Sequence, residues 1–165
     1  NIINCNIITS DCEKILGCLV DTNLSFKQHI FGITKKANNL CNMLLRAFKF
    51  YDNDIIISLY KTYVRPILEY ASVIFSPHHL YLIDVLENVQ RHFTKRLFGL
   101  YDVSYVDRMT KCNLESLELR RLHNDLIFMY KILHNHISAN INCIKLSECH
   151  NTRGNILKLA NFTAN

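Results

Sequence analysis

Glycine is scarce in this chain, and the motifs that depend on glycine are missing with it. The four glycines among 165 residues stand alone at positions 17, 32, 99 and 154. A phosphate-binding loop needs clustered glycines, whose bare backbone brings N–H groups close to the phosphates. The hydrolase patterns G-x-S-x-G and H-E-x-x-H do not occur either. These absences exclude the common nucleotide-loop, serine-hydrolase and zinc-protease templates.

Long apolar runs are also missing. Hydrophobic residues make up 49% of the chain, enough for the core of one domain, but they are interspersed with polar ones. No run approaches the roughly 18 residues that a membrane span requires. The chain begins with Asn and has no basic-then-apolar leader. We therefore expect an internal piece of an intracellular protein, nuclear or cytoplasmic, with no membrane partner.

Paired cysteine motifs are absent although cysteine itself is not. The seven cysteines are scattered, odd in number and form no C-x-x-C. This usage indicates free thiols in a reducing compartment. Cys143, Cys149 and His150 are conceivable metal ligands, but no fourth ligand follows at finger spacing. We expect no metal site.

Basic charge, by contrast, is concentrated. The net charge is +5, and one acid-free stretch between Thr22 and Tyr51 holds five of the basic residues. Clustered Lys and Arg suit phosphate backbones, because they neutralise the repelling phosphates and release counterions. The residues of this stretch are Lys27, Lys35, Lys36, Arg46 and Lys49.

The apolar spacing predicts a mainly α-helical bundle of about four long helices behind a short N-terminal strand at Gly17–Val20. We expect that strand to lack a ladder partner. The first helix should begin at Ser25, with Gln28 completing a capping box. Its inward stripe is Phe26, Ile30, Ile33, Ala37, Leu40, Leu44 and Phe48. Its opposite face carries Lys35, Asn38, Asn42, Arg46 and Lys49.

The second helix should follow Asp52 and run to Ile74, before Ser76-Pro77. Pro66 lies inside its pattern and should kink it about one turn earlier, because proline lacks a backbone donor. Arg65 and Glu69, four residues apart, predict a simple surface ion pair.

The third helix is predicted over about 81–98, with Gly99 as its left-handed cap. We expect Glu87 to pair with Arg91 on its surface. Its inward residues are Leu82, Leu86, Val89, Phe93 and Leu97. Its outer face is the densest basic patch of the chain and holds Asn88, Arg91, His92, Lys95 and Arg96.

A short helix should begin at Ser104, with Asp107 completing its capping box. The fourth long helix is predicted over about 116–135, and polar sequence follows His136. Its inward stripe is Leu119, Leu122, Leu126, Met129, Tyr130 and Leu133. Its predicted surface ladder is Glu118, Arg121 and Asp125.

Several ordered blocks carry a family resemblance. They read K-x-L-G at 14–17, R-P-x-L-E-Y-A-S at 65–72, L-E-x-V-Q-R-x-x-T-K at 86–95 and S-L-E-x-R-R at 116–121. In this order they resemble the region just C-terminal to the palm of non-LTR retrotransposon reverse transcriptases of the jockey and CR1 kind. Two departures are Phe75, where Trp is usual, and Lys111-Cys112-Asn113, which lacks the usual Gly.

The resemblance implies the thumb and connector of an RNA-directed DNA polymerase. It implies a strand and turn at 1–23 on the edge of a missing palm, a helical domain at 24–136 and a polar, poorly structured tail at 137–165. The expected partners are that palm and a duplex of RNA template and DNA primer, held without sequence specificity. The expected contacts to the duplex are Lys35, Lys36, Arg46, Lys49, Arg91, Lys95 and Arg96.

Catalysis is expected to lie outside this chain. Polymerase palms hold two Mg²⁺ ions on acidic residues, which in this family include an adjacent Asp pair. Asp52-Asn53-Asp54 has no adjacent Asp pair and sits between helices, where such residues cap. We therefore expect an inert chain without a cofactor, Mg²⁺ belonging only to the palm. Two alternatives stay open: a helical protein-interaction scaffold, and the relic of a decayed element.

Overall fold

The computed structural model describes residues 10–48 and 52–137 of the chain. Within them the fold is mainly helical with a short N-terminal β-hairpin, which confirms the predicted fold class. The elements are β1 (Cys12–Ile15), β2 (Cys18–Asp21), α1 (Lys27–Ala47), α2 (Asn53–Leu59), a π-helix (Tyr60–Val64), α3 (Arg65–Glu69), α4 (Ser72–Phe75), α5 (Leu80–Lys95), α6 (Tyr105–Lys111) and α7 (Leu117–Leu133).

The N-terminal strand does have a ladder partner, so that expectation was wrong. β1 and β2 pair antiparallel, with Ile15 opposite Cys18. The two residues between them, Leu16 and Gly17, both have positive φ, at 47° and 89°. A two-residue turn of this hand matches the right-handed twist of a hairpin. The sequence pattern missed β1 because its four residues, C-E-K-I, alternate too briefly to stand out.

The predicted capping box at the start of α1 is also wrong. The residue before α1 is Phe26, in a left-handed conformation with φ 52°. The carboxylate of Asp21 accepts hydrogen bonds from the Phe26 N–H, at 3.0 Å, and from the Ser25 hydroxyl. These bonds lower the pKa of Asp21. The hairpin thus supplies the polar partner at the helix start, in place of Gln28.

Pro66 disturbs the second helical segment where expected, and the disturbance takes the form of a π-helix. The Arg65 N–H donates to the Tyr60 carbonyl, five residues back. A wider turn accommodates the proline ring, which would otherwise collide with the carbonyl four residues earlier. The helix then ends at Glu69 and not near Ile74 as predicted. Ala71 breaks it with φ 58°.

The core lies between the apolar faces of α1 and α5, with the α2–α3 segment against both. Tyr60 and Phe93 are buried and their rings stack, with centroids 4.4 Å apart. On α1, Ile30, Ala37 and Leu44 are buried as predicted. The predicted inward residues of α5 are all at most 3% exposed: Leu82, Leu86, Val89, Phe93 and Leu97.

Two smaller predictions concern helix ends. Ser104 caps α6, because its hydroxyl accepts the Asp107 N–H at 3.2 Å. That prediction is confirmed. Gly99 has a positive φ of 71° but does not cap α5, which ends at Lys95. It lies in the following turn, closed by the Leu100 N–H donating to the Leu97 carbonyl at 3.2 Å.

Helix α7 presents its faces differently from the prediction. Leu119 and Leu122, predicted inward, are 41% and 53% exposed. Arg121, predicted for a surface ladder, is only 4% exposed. The buried side of the first turns is instead formed by Leu117 and Arg121, four residues apart and so on one face.

The described residues fall into two compact units. The first extends to Asn124 and the second begins at Asp125, so the boundary lies inside α7. Within the second unit the Tyr130 ring lies 4.1 Å from that of His134. The predicted division at residues 23 and 136 stays a prediction, and residues 138–165 of its polar tail lie outside the described residues.

Candidate nucleic-acid interface

A buried amide on α5 sets the position of the helix that carries the basic patch. Gln90 is fully buried, and its carbonyl oxygen accepts the Tyr60 hydroxyl at 3.0 Å. Its amide nitrogen donates to the Glu115 carbonyl at 2.9 Å and to the Tyr105 hydroxyl at 3.3 Å. A buried amide with these partners fixes the rotation of its helix. The outer face of α5 is therefore presented in one orientation.

Glu87 has a different role from the predicted surface pair with Arg91. The side chain is buried, and its carboxylate accepts the Leu117 N–H at 2.9 Å and the Tyr105 hydroxyl. Partial burial of the Tyr105 hydroxyl, and then its contact with the Glu87 carboxylate, raise the pKa of Tyr105 above its usual value. Glu87 thus caps the start of α7, where free N–H groups favour a negative charge.

A buried arginine also helps to hold α5 in position. Arg108 is 5% exposed; its Nε donates to the Thr94 hydroxyl at 3.2 Å and its Nη1 to the Val103 carbonyl at 2.8 Å. Sequence reasoning missed this set of residues. The available signal was the 3- and 4-residue spacing of Glu87, Gln90 and Thr94, which runs beside the apolar stripe of α5.

The outer sides of α1 and α5 meet at Asn42. The Arg96 guanidinium, just past the end of α5, donates to the Asn42 side-chain oxygen. On α1, the Arg46 Nε donates to the Asn42 backbone carbonyl at 3.2 Å. Two exposed arginines from helices far apart in sequence are thus held around one asparagine. The structure brings together two of the residues predicted to contact nucleic acid.

Lys35 continues this surface along α1. It lies eleven residues before Arg46, which is about 16 Å at 1.5 Å per residue and within about 20° of the same helix face. Both side chains are exposed. Lys95, also exposed, precedes Arg96 and holds its ammonium 4.8 Å from the centre of the Tyr101 ring. We call Lys35, Arg46, Lys95 and Arg96 the α1–α5 basic face.

The remaining predicted contacts lie elsewhere. Arg91 is half-buried, donates to Asn88 at 2.5 Å and lies 3.8 Å from the Asp84 carboxylate. Its charge is therefore partly committed within the chain. Lys36 is turned about 100° from Lys35 around α1 and lines a cleft against the hairpin. Lys49 lies outside the described residues.

The α1–α5 basic face keeps its charge available. Across residues 10–48 and 52–137, its four basic side chains form no ion pair with a carboxylate. Next to Asn42 in sequence is the buried Cys41; burial raises the pKa of its thiol to about 12, although nearby Arg96 opposes the shift. The surface is thus a fixed positive face beside a neutral thiol, which suits an anionic partner.

The described ranges contain no group of three His, Cys, Asp or Glu side chains that could hold a metal ion. At the predicted capping segment, Asn53 instead binds the Phe98 backbone in both directions, at 2.9 Å and 3.1 Å. Within these same ranges no helix has the length and apolar character needed to cross a membrane.

The chain is similar to a nematode protein. Over 121 residues the chain is 31% identical to an uncharacterized protein of Caenorhabditis elegans. The matched stretch is 72% of this chain and 61% of the nematode protein, so the chain spans less than two thirds of that relative. No known protein-family profile matches the chain. No solved structure matches it either.

Proposed function

We propose that this chain is the thumb and connector of a non-LTR retrotransposon reverse transcriptase, working in the nucleus or cytoplasm. In this role it grips the duplex of RNA template and DNA primer. The sequence blocks at 14–17, 65–72, 86–95 and 116–121 support the assignment. The observation that carries it is the convergence of Arg46 and Arg96 on Asn42, which joins two helices into one basic face.

The form of this face favours backbone contacts over base recognition. Lys35 and Arg46 are about 16 Å apart along α1, a distance that spans several phosphates of a duplex. The side chains are exposed on regular helices, and phosphate contacts position a duplex without reading its sequence. The grip is accordingly sequence-tolerant. The palm, with its Mg²⁺ ions, supplies the chemistry from outside this chain, which is inert alone.

Salt dependence tests the grip first. With about four phosphates neutralised, the logarithm of the binding constant should fall with a slope near −3.6 against the logarithm of salt concentration. The affinity for a 20-base-pair RNA–DNA duplex should therefore fall about 150-fold between 50 and 200 mM salt. Fluorescence anisotropy measures this on the full chain. An affinity that does not change with salt contradicts the proposal.

Charge reversal tests the named residues. The double variant Lys95→Glu and Arg96→Glu should weaken duplex binding at least about tenfold, since two phosphate contacts become repulsive. The matched control is Lys27→Glu with Lys111→Glu, which changes the net charge equally at two exposed lysines off the face. If both double variants bind alike, the α1–α5 basic face is not the contact.

A second function, a helical protein-interaction scaffold, is favoured by one observation. Leu119 and Leu122 are large apolar side chains exposed on α7. Light scattering separates the two functions. Stable oligomers that do not change when duplex is added favour the scaffold, whereas a monomer that forms a complex with duplex favours the grip.

A further inference from the structure

A cleft of about 540 Å³ lies between the β-hairpin, α1 and α3, away from the α1–α5 basic face. It is the size of sites that hold small organic ligands. Its described lining includes two lysines, one histidine, one tyrosine and several apolar side chains, and no carboxylate. The residues that carry the argument are Lys14, His29, Gly32, Lys36, Ile67 and Tyr70.

The walls of the cleft are fixed by two hydrogen bonds. The Tyr70 hydroxyl donates to the Leu16 carbonyl in the hairpin turn at 2.9 Å. The Leu19 N–H donates to His29 Nδ1 at 3.3 Å, which ties β2 to α1. Gly17 suits the turn because its φ of 89° is one that L side chains rarely adopt, whereas a Cβ there would make only an ordinary contact, 3.5 Å from the Tyr70 ring. The cleft is therefore formed before any ligand arrives.

The charge of the cleft selects an anion. Lys14 on β1 and Lys36 on α1 are exposed at its edge. Among the described residues neither forms an ion pair. Two free ammonium groups facing one concave site with no acidic lining suit a phosphate group better than a neutral ligand.

The aromatic and apolar residues of the cleft favour a ligand with a flat ring. Tyr70 is 59% exposed even though its hydroxyl is tied to the hairpin. A ring held in this way offers a rigid face on which a nucleobase can stack. Ile67 extends the apolar wall beside it.

His29 adds a buried donor to the wall. Because Nδ1 accepts the Leu19 N–H, the neutral ring carries its hydrogen on Nε2. The residue is 4% exposed, and Nε2 has no hydrogen-bond partner in the described structure. A buried donor without an acceptor is costly, and a bound group that completes the site is one way to satisfy it.

We propose that this cleft binds a single nucleotide unit. Lys14 and Lys36 hold the phosphate monoester, and the base lies against Tyr70. The site goes beyond the duplex grip and uses none of the four residues of the α1–α5 basic face. The nucleotide comes either as a free mononucleotide or as the 5′-phosphorylated end of a strand.

Gly32 makes the proposal testable without damage to the fold. It lines the cleft, and a Cβ built on it meets nothing within 4 Å. Replacing a helical glycine by a better helix former also stabilises the helix. Gly32→Leu should fill the cleft and Gly32→Ala only narrow it, while both raise the melting temperature.

Calorimetric titration of the full chain with AMP is the measurement. Wild type should bind AMP saturably, adenosine about tenfold more weakly because the charged contacts are lost, and Tyr70→Leu should bind AMP about tenfold more weakly. Gly32→Leu should not bind, and Gly32→Ala should. The double variant Lys95→Glu with Arg96→Glu should bind AMP like wild type. The AMP titration therefore tests the cleft independently of the duplex grip.

The source of the nucleotide is resolved by two oligonucleotides. A single strand with a 5′ phosphate that binds more tightly than both AMP and its 5′-hydroxyl twin assigns the cleft to strand ends. Equal affinity for AMP and the phosphorylated strand assigns it to free nucleotides. Unchanged AMP binding by Gly32→Leu, adenosine binding as tight as AMP, or no saturable binding overturns the proposal.

Discussion

Helices α5 and α7 have similar apolar spacing in sequence but are held in the fold in different ways. The apolar stripe of α5 is almost completely buried, and Leu86 in its centre has no exposed surface. On α7, Leu119 and Leu122 occupy the same kind of stripe and are about half exposed. Helical periodicity therefore defines an apolar face on both helices, but it does not establish that the face is covered.

At the beginning of α7, polar contacts join the buried Leu117 in holding the helix. Glu87 accepts the Leu117 N–H at 2.9 Å. Arg120 binds both carboxylate oxygens of Glu69, one of them at 3.1 Å. The difference between the helices shows that one bundle can combine a helix fixed by hydrophobic burial with one fixed by directed contacts. The following substitutions test that difference.

The largest effect is expected in α5. Leu86→Ala removes a fully buried side chain and leaves a cavity, so it should lower the free energy of unfolding by about 3 kcal/mol. The matched change Leu122→Ala on α7 should alter it by less than about 0.5 kcal/mol, because that side chain is 53% exposed. Urea unfolding followed by circular dichroism measures both. Equal losses show that the α7 stripe is covered after all.

An intermediate effect is expected at the link between the two helices. Glu87→Ala leaves the Leu117 N–H and the Tyr105 hydroxyl without their acceptor, which should cost about 2 kcal/mol. Asp84→Ala is the control on the same helix, since that carboxylate is mostly exposed. It should change stability by less than about 0.5 kcal/mol. A similar loss for both variants contradicts a capping role for Glu87.

The smallest effect distinguishes the two arginines near Glu69. Arg120 contacts it with two nitrogens, and this contact raises the pKa of Arg120, whereas Arg65, the predicted partner, lies 3.8 Å away. Arg120→Ala should therefore cost about 1 kcal/mol and Arg65→Ala less than about 0.5 kcal/mol. Thermal unfolding of the two variants in parallel gives the ratio. A larger loss of stability for Arg65→Ala than for Arg120→Ala contradicts the pairing of Glu69 with Arg120 of α7.

The parts of the fold that sequence predicted are those governed by local chemistry. The inward residues of α5, the Ser104 cap and the distortion before Pro66 all depend on neighbours within a few positions. The failures depend on residues far away in sequence. Asp21 takes the place of Gln28 at the start of α1 because the hairpin folds back onto that helix. Glu87 is buried because Tyr105 and Leu117, which are distant in sequence, pack against it.

The same distinction applies to the candidate site. Spacing along α1 placed Lys35 and Arg46 on one face, because helix geometry requires it. Spacing along α5 likewise placed Arg91 on the outer face of that helix. It did not indicate that part of the Arg91 charge is committed to Asp84. Nothing in either segment indicated that Arg96 would reach Asn42, since this depends on how α1 and α5 pack. The cleft at Tyr70 required the hairpin turn and α3 to be adjacent, which no local pattern encodes.

The contact between Asn42 and Arg96 also orders events during synthesis of the chain. The two residues are 54 positions apart, and a ribosome adds about 5–20 residues per second. The α1 half of the basic face is therefore made about 3–10 s before its partner arginine exists. During that interval a nascent chain has half of the proposed grip. In the proposed grip, the set of basic residues is therefore complete only after the end of α5 leaves the ribosome.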